Sequence, residues 1–102
     1  MTIAFSMKLL PNCLEEYKKR HDAIWAELVQ LLKENGISNY HIFVQQSTNT
    51  LFAVQEQSDV SSQGLGSELI VQKWWKYMSD IMEVNEDFSP KTEKLDEVFF
   101  MA

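Results

Sequence analysis

From Ile3 to Leu9 the chain alternates, with Ile3, Phe5, Met7 and Leu9 apolar and Ala4, Ser6 and Lys8 small or polar. A period of two predicts a half-buried strand, and Pro11 ends it. The rhythm then lengthens. Leu14, Tyr17, His21, Ile24, Trp25, Leu28, Leu31 and Leu32 recur at helical spacing, which predicts one helix of about five turns closed by Gly36. Asn12 and Glu15 stand three apart, in the manner of a capping box with an amide in place of the hydroxyl. Glu15 and Glu16 fall in the first turn, four residues ahead of Lys19 and Arg20, where ion pairs support a helix.

Two further strands are expected in NYHIFVQQ and LFAVQEQ. STNT between them offers Asn49 for a positive φ, so the pair reads as a hairpin. SDVSSQGLGSE reads as a loop with one weak helical turn. Leu69, Ile70, Lys73, Trp74, Met78, Ile81 and Met82 mark a second helix from about Ser67 to Met82, NEDFSP breaks it, and KLDEVFFM gives a last strand. The order β-α-β-β-α-β predicts an α+β fold, a ferredoxin-like sandwich formed by a single domain over residues 1–102.

The strands carry apolar residues in both phases. Phe43 opposes Ile42 and Val44, Phe52 and Val54 oppose Leu51 and Ala53, and Phe99 opposes Val98 and Phe100. A sheet with helices on one face should be polar on the other. Two such sheets packed together in a homodimer would cover the second face, whereas a monomer would leave an apolar patch in water.

Composition narrows the function classes. A formal charge of −6 and a pI near 4.8 argue against nucleic acid or an anionic membrane surface as partner. No apolar run is long enough for a membrane span, and MTIAFSMKLL lacks a basic leader and a small-residue cleavage site, so cytoplasm is the expected compartment. A metal site is not expected, since two histidines and the lone Cys13 lack ligand spacing. GLGSEL is no dinucleotide loop, and Cys13 without a neighbouring base reads as an inert thiol.

What remains is aromatic. Tyr17, His21 and Trp25 share one helical stripe; taken alone, they read as core. Tyr40, Trp74, Trp75 and Tyr77 form a second collection. With both helices on one side of the sheet, the two collections could converge on a pocket. Aromatic faces suit the C–H surfaces of a sugar, while phenol, indole and imidazole bond its hydroxyls. Adjacent helical residues point about 100° apart, so Trp74 and Trp75 should not both face that pocket squarely. His41 should point away from it if Tyr40 points in.

In this order and spacing EEYKKRHDAIWAEL, GISNYHIF, WWKYMSDIM and NEDFSP…LDEVFF resemble the L-rhamnose mutarotase family over nearly the whole chain. The Glu-Tyr-x-x-Arg-His-x-x-Ile-Trp and Trp-Trp-x-x-Met-x-Asp-x-Met blocks together carry the resemblance. It implies a dimeric α+β barrel, a homodimer that interconverts the α and β anomers of L-rhamnopyranose without a cofactor. It implies His21 as proton donor and Tyr17, Tyr40, Trp74 and Trp75 as sugar-binding residues; Trp25 is left to the core. Ring opening needs a proton delivered to the ring oxygen and one removed from the anomeric hydroxyl, a task suited to histidine near neutral pH. The partner base stays open among a tyrosine, a water and Asp80. Two other functions fit the same pocket: a cofactor-free small oxygenase of the same architecture, or a sugar-binding protein without catalysis.

Overall fold

A computed structural model describes residues 1–58 and 65–102. Strand β1 (Thr2–Lys8) is followed by helices α1 (Leu14–Asp22) and α2 (Ala26–Glu34), and then by strands β2 (Ile37–Gln45) and β3 (Thr50–Gln57). Helix α3 (Leu69–Met78) and strand β4 (Glu93–Leu95) complete the chain. The four strands form one antiparallel sheet in the order β2-β3-β1-β4. Because β3 lies between β1 and β2, the first β-α-β unit is split, as the expected α+β arrangement requires.

Period-two patterning decides the inner face of the sheet. Met7, Leu51 and Ala53 turn inward and are buried, and with Leu9, Tyr17, Met78, Ile81 and Met82 they form the main core. Leu51 is 1% exposed; truncating a side chain so enclosed to alanine costs about 2–5 kcal/mol. The outer face carries Phe43, paired with Phe52, and Val54, paired with His41 and Ala4. Among the described residues no helix covers it, and Phe43 is 60% exposed.

The expected single helix from residue 14 to Gly36 is two helices. Ala23 leaves the helical region at φ −111°, ψ 30°, and Trp25 is extended at φ −62°, ψ 129°. The break turns the Trp25 indole onto α3, where it stacks with Tyr77 and meets Trp74 edge-on. Tertiary packing of one large aromatic thus overrides a continuous helical period. The capping box is absent as well. Cys13 is the N-cap of α1 without a side-chain cap bond, while Asn12 is in the left-handed region at φ 61°. The Glu16–Arg20 pair does form, at 2.8 Å.

The β2–β3 hairpin stands as expected, with Asn49 at φ 55° after a short 3-10 turn, Gln46–Thr48. Gly36, at φ 79°, follows α2; an added Cβ would lie 2.8 Å from that of Ser58. The second predicted helix is shorter than expected, Leu69–Met78. Ile81 and Met82 are buried from an irregular segment after it. Of the expected polar loop, residues 59–64 lie outside the described residues, and Leu65–Ser67 form a 3-10 turn.

The last strand is also shorter than expected. β4 ends at Leu95, opposite Ala4. Continuing that antiparallel register would place Glu97 opposite Thr2, where β1 begins. Beyond that point β1 offers no residue to pair with. Val98, Phe99, Phe100 and Met101 therefore run on with 75–95% of their surface exposed. Among the described residues no helix is long and apolar enough to cross a membrane.

Candidate active site

A cavity of about 920 Å³ opens between the helices and the inner face of the sheet. Tyr17, His21, Tyr40, Trp74 and Trp75 all line it. Three elements supply them: α1 carries Tyr17 and His21 one turn apart, β2 carries Tyr40 in the inward phase with Ile42 and Val44, and α3 carries the two tryptophans. The volume falls within the range of small-molecule sites.

The Tyr17 and His21 rings stack with centroids 4.2 Å apart. His21 Nδ1 lies 3.1 Å from the Tyr17 carbonyl oxygen. A carbonyl only accepts, so Nδ1 carries the hydrogen and Nε2 is the free nitrogen. Burial lowers the His21 pKa; the Tyr17 carbonyl bond and the Asp22 charge oppose that shift without cancelling it. At neutral pH the ring is therefore uncharged, with a proton acceptor at Nε2.

Burial raises the pKa of Tyr17, and the neighbouring Tyr40 phenol adds to the shift. Tyr40 keeps 40% of its surface accessible where it lines the cavity, yet the surrounding protein pushes its phenol up to about 12. A side-chain hydrogen bond with Gln55 works in the opposite direction. Both tyrosines are neutral hydroxyls near pH 7, able to donate as well as accept.

Trp74 meets the His21 ring edge-on at 5.4 Å. Trp75 lines the cavity too. With Phe88 it also lines a smaller hollow of about 390 Å³ beside Lys73 and Lys76. Its ring lies so close to Gly66 that an added Cβ there would stand 3.1 Å from it. Trp25 does not line the cavity; it supports Trp74 from behind at 5.0 Å. His41 is exposed, stacks on Phe43 at 6.0 Å and takes no part.

Asp80, one candidate for the partner base, is engaged elsewhere. Its two oxygens accept from Arg20 at 2.8 and 3.2 Å, and it does not line the cavity. Cys13 is likewise outside it. Sequence reading missed Gln55, which is 5% exposed, lines the cavity and accepts from Gln57 Nε2 at 2.8 Å. A signal existed: Leu51, Ala53 and Gln55 share one phase, so an amide occupies an apolar position. Among the described residues no cluster of His, Cys, Asp and Glu could hold a metal ion.

Residues 2–101 match the family described as "rhaM: L-rhamnose mutarotase". The chain belongs to the L-rhamnose mutarotase family. An L-rhamnose mutarotase from Formosa agariphila is 53% identical over 100 residues, covering 97% of this chain and 96% of that protein. One from Bacteroides thetaiotaomicron is 54% identical over 99 residues, covering 96% and 95%. A crystal structure of L-rhamnose mutarotase from Formosa agariphila superposes with a TM-score of 0.94 at 50% identity, covering 100% of this chain and 99% of that one.

Proposed function

We propose that this enzyme, a carbohydrate isomerase, is an L-rhamnose mutarotase in which His21 carries the proton between the two oxygens of the anomeric carbon. The membership of the family supports the reaction. The single observation that carries the role of His21 is its Nδ1 bond to the Tyr17 carbonyl, which leaves an unprotonated Nε2 for the cavity.

The neutral ring takes before it gives. Nε2 accepts the proton of the anomeric hydroxyl while that C–O bond becomes the aldehyde double bond. The electron pair of the breaking bond from the anomeric carbon to the ring oxygen goes to that oxygen. The imidazolium then delivers its proton there. Both oxygens are bonded to one carbon, so a single nitrogen can serve each in turn and no separate carboxylate base is needed. Rotation of the aldehyde and the same steps in reverse close the ring on the other face. His21 is thus the donor to the ring oxygen, having first been the acceptor.

Tyr17 and Tyr40 supply hydroxyls to the sugar, and Trp74 and Trp75 supply the faces against which its C–H surface packs. General acid–base assistance contributes roughly 10²–10⁴-fold, adequate for a reaction that already proceeds in water. The cavity is also compatible with binding alone, and saturation transfer between the two H1 resonances of L-rhamnose separates the readings. Added protein should accelerate exchange between the anomers; ligand-induced shifts without faster exchange would overturn the assignment.

A homodimer completes this reading. The Phe43, Phe52 and Val54 face and the exposed Val98–Met101 run are apolar features that a second copy would bury. Face-to-face packing of two such sheets would give the dimeric α+β barrel.

A further inference from the structure

Arg20 precedes His21 on α1 and does not line the cavity. Its side chain is only 11% exposed, which is unusual for arginine and calls for partners. It has four. Nε donates to Glu16 at 2.8 Å, Nη1 to the Tyr77 carbonyl at 2.7 Å, and Nη1 and Nη2 to Asp80 at 2.8 and 3.2 Å. The guanidinium carbon also lies 4.5 Å from the centroid of the Tyr77 ring. One planar group thus ties α1 to the C-terminal end of α3, where a cation also suits the helix dipole.

The tie closes a circuit that returns to the active site. From Tyr77 the contacts run to Trp25, stacked at 5.6 Å, then to Trp74, edge-on at 5.0 Å, and then to His21 at 5.4 Å. Helix α1 has nine residues, too short to hold its own orientation by backbone bonds alone, and the break at residues 23–25 separates it from α2. The place of His21 relative to Trp74 must therefore be set by side chains that join α1 to α3. Asp80 is largely solvated and Glu16 partly so, and such ion pairs add little stability. What the fork provides is direction, because several fixed donors define one orientation.

The geometry points to Arg20, with Asp80, as a positioning pair that holds His21 and Trp74 in register for anomer exchange. A lysine keeps the charge but not the fork, so Arg20→Lys should fold and still lose the alignment. Asp80→Ala removes the tie at an exposed side chain and serves as the second variant.

The experiment measures, in the full-length protein and both variants, kcat and KM for L-rhamnose anomer exchange, thermal stability, and the NMR pH titration of the His21 ring with the Trp74 indole resonance. Both variants should lose about tenfold in kcat, as a small misplacement of a reacting group does, with KM changed by less than about twofold. The His21 titration should move up toward the ordinary imidazole value as the ring loosens into water, and the Trp74 resonance should shift. Folded variants with parental kcat and parental His21 titration would overturn the proposal. So would a lower kcat with both resonances unchanged, since Arg20 would then not act through these rings. The inference rests on the mutarotase reading, but the two can fail separately. If the parent protein exchanges no anomers the reading fails, while the His21 and Trp74 resonances still test the tie.

Discussion

Tyr17 holds His21 twice, by ring stacking at 4.2 Å and by its carbonyl oxygen 3.1 Å from Nδ1. The spacing of four residues makes both contacts possible, because a helix brings residue i+4 over the carbonyl of residue i. The stack fixes the ring plane and the carbonyl fixes the tautomer.

Removing the imidazole tests the centre of the mechanism. His21→Ala should lower catalysed anomer exchange by about 10²–10⁴-fold, to near the uncatalysed rate. Circular dichroism should show a folded protein, and rhamnose-induced shifts of the tryptophan resonances should persist. Parental exchange rates in the folded variant would show that another group carries the proton.

The pH profile follows from the direction of the His21 shift. The working form is the neutral ring, and burial holds its pKa below the usual value of about 6.5. Activity should therefore persist as pH falls below that value and decline only through the lower folded-state pKa. The stability linkage has the matching sign. The unfolded chain binds the proton more readily, so this residue's contribution is complete above about pH 6.5 and is lost as pH falls toward the folded value. Rate profiles and urea midpoints across that interval check both statements.

Tyr40→Phe removes one hydroxyl from the cavity and one partner from the buried Gln55 amide. A lost hydrogen bond with a buried group left unsatisfied costs about 1–3 kcal/mol. KM for L-rhamnose should rise about tenfold and kcat should change less, because the proton carrier is intact. A fall in kcat alone would instead place Tyr40 in the proton transfer.

The overhanging tail makes the assembly testable. Deleting residues 96–102 removes Val98, Phe99, Phe100 and Met101 but leaves all of β4. Light scattering after gel filtration should give a dimeric mass for the full chain and a substantially smaller dimer fraction for the shortened one. A full-length chain that is monomeric at all accessible concentrations would refute the homodimer.

Much of the site was legible because its residues announce themselves by type and spacing. Tyr17 and His21 lie four apart on a helix, Tyr40 shares a strand phase with Ile42 and Val44, and all five expected residues line one cavity. Two features were not legible. Asp80 was a candidate base by chemistry alone, and only its distance to Arg20 removes it. Arg20 was readable as the partner of Glu16 four residues earlier, but its bond to Asp80 spans 60 positions in the chain.

Local pattern along the chain was enough for the order of the strands, the inward phase of the sheet, the hairpin at Asn49 and the stop at Gly36, because periodicity and backbone freedom are local properties. Where the long helical period breaks and where the last strand ends were set by contacts made in the folded chain. At Trp25, packing against Trp74 and Tyr77 outweighs the local helical preference. From Val98 on the apolar pattern continues, but a strand needs a partner, and β1 begins at Thr2, opposite Glu97 in the same register. Both outcomes depend on residues distant in sequence, which is why local pattern alone could not supply them.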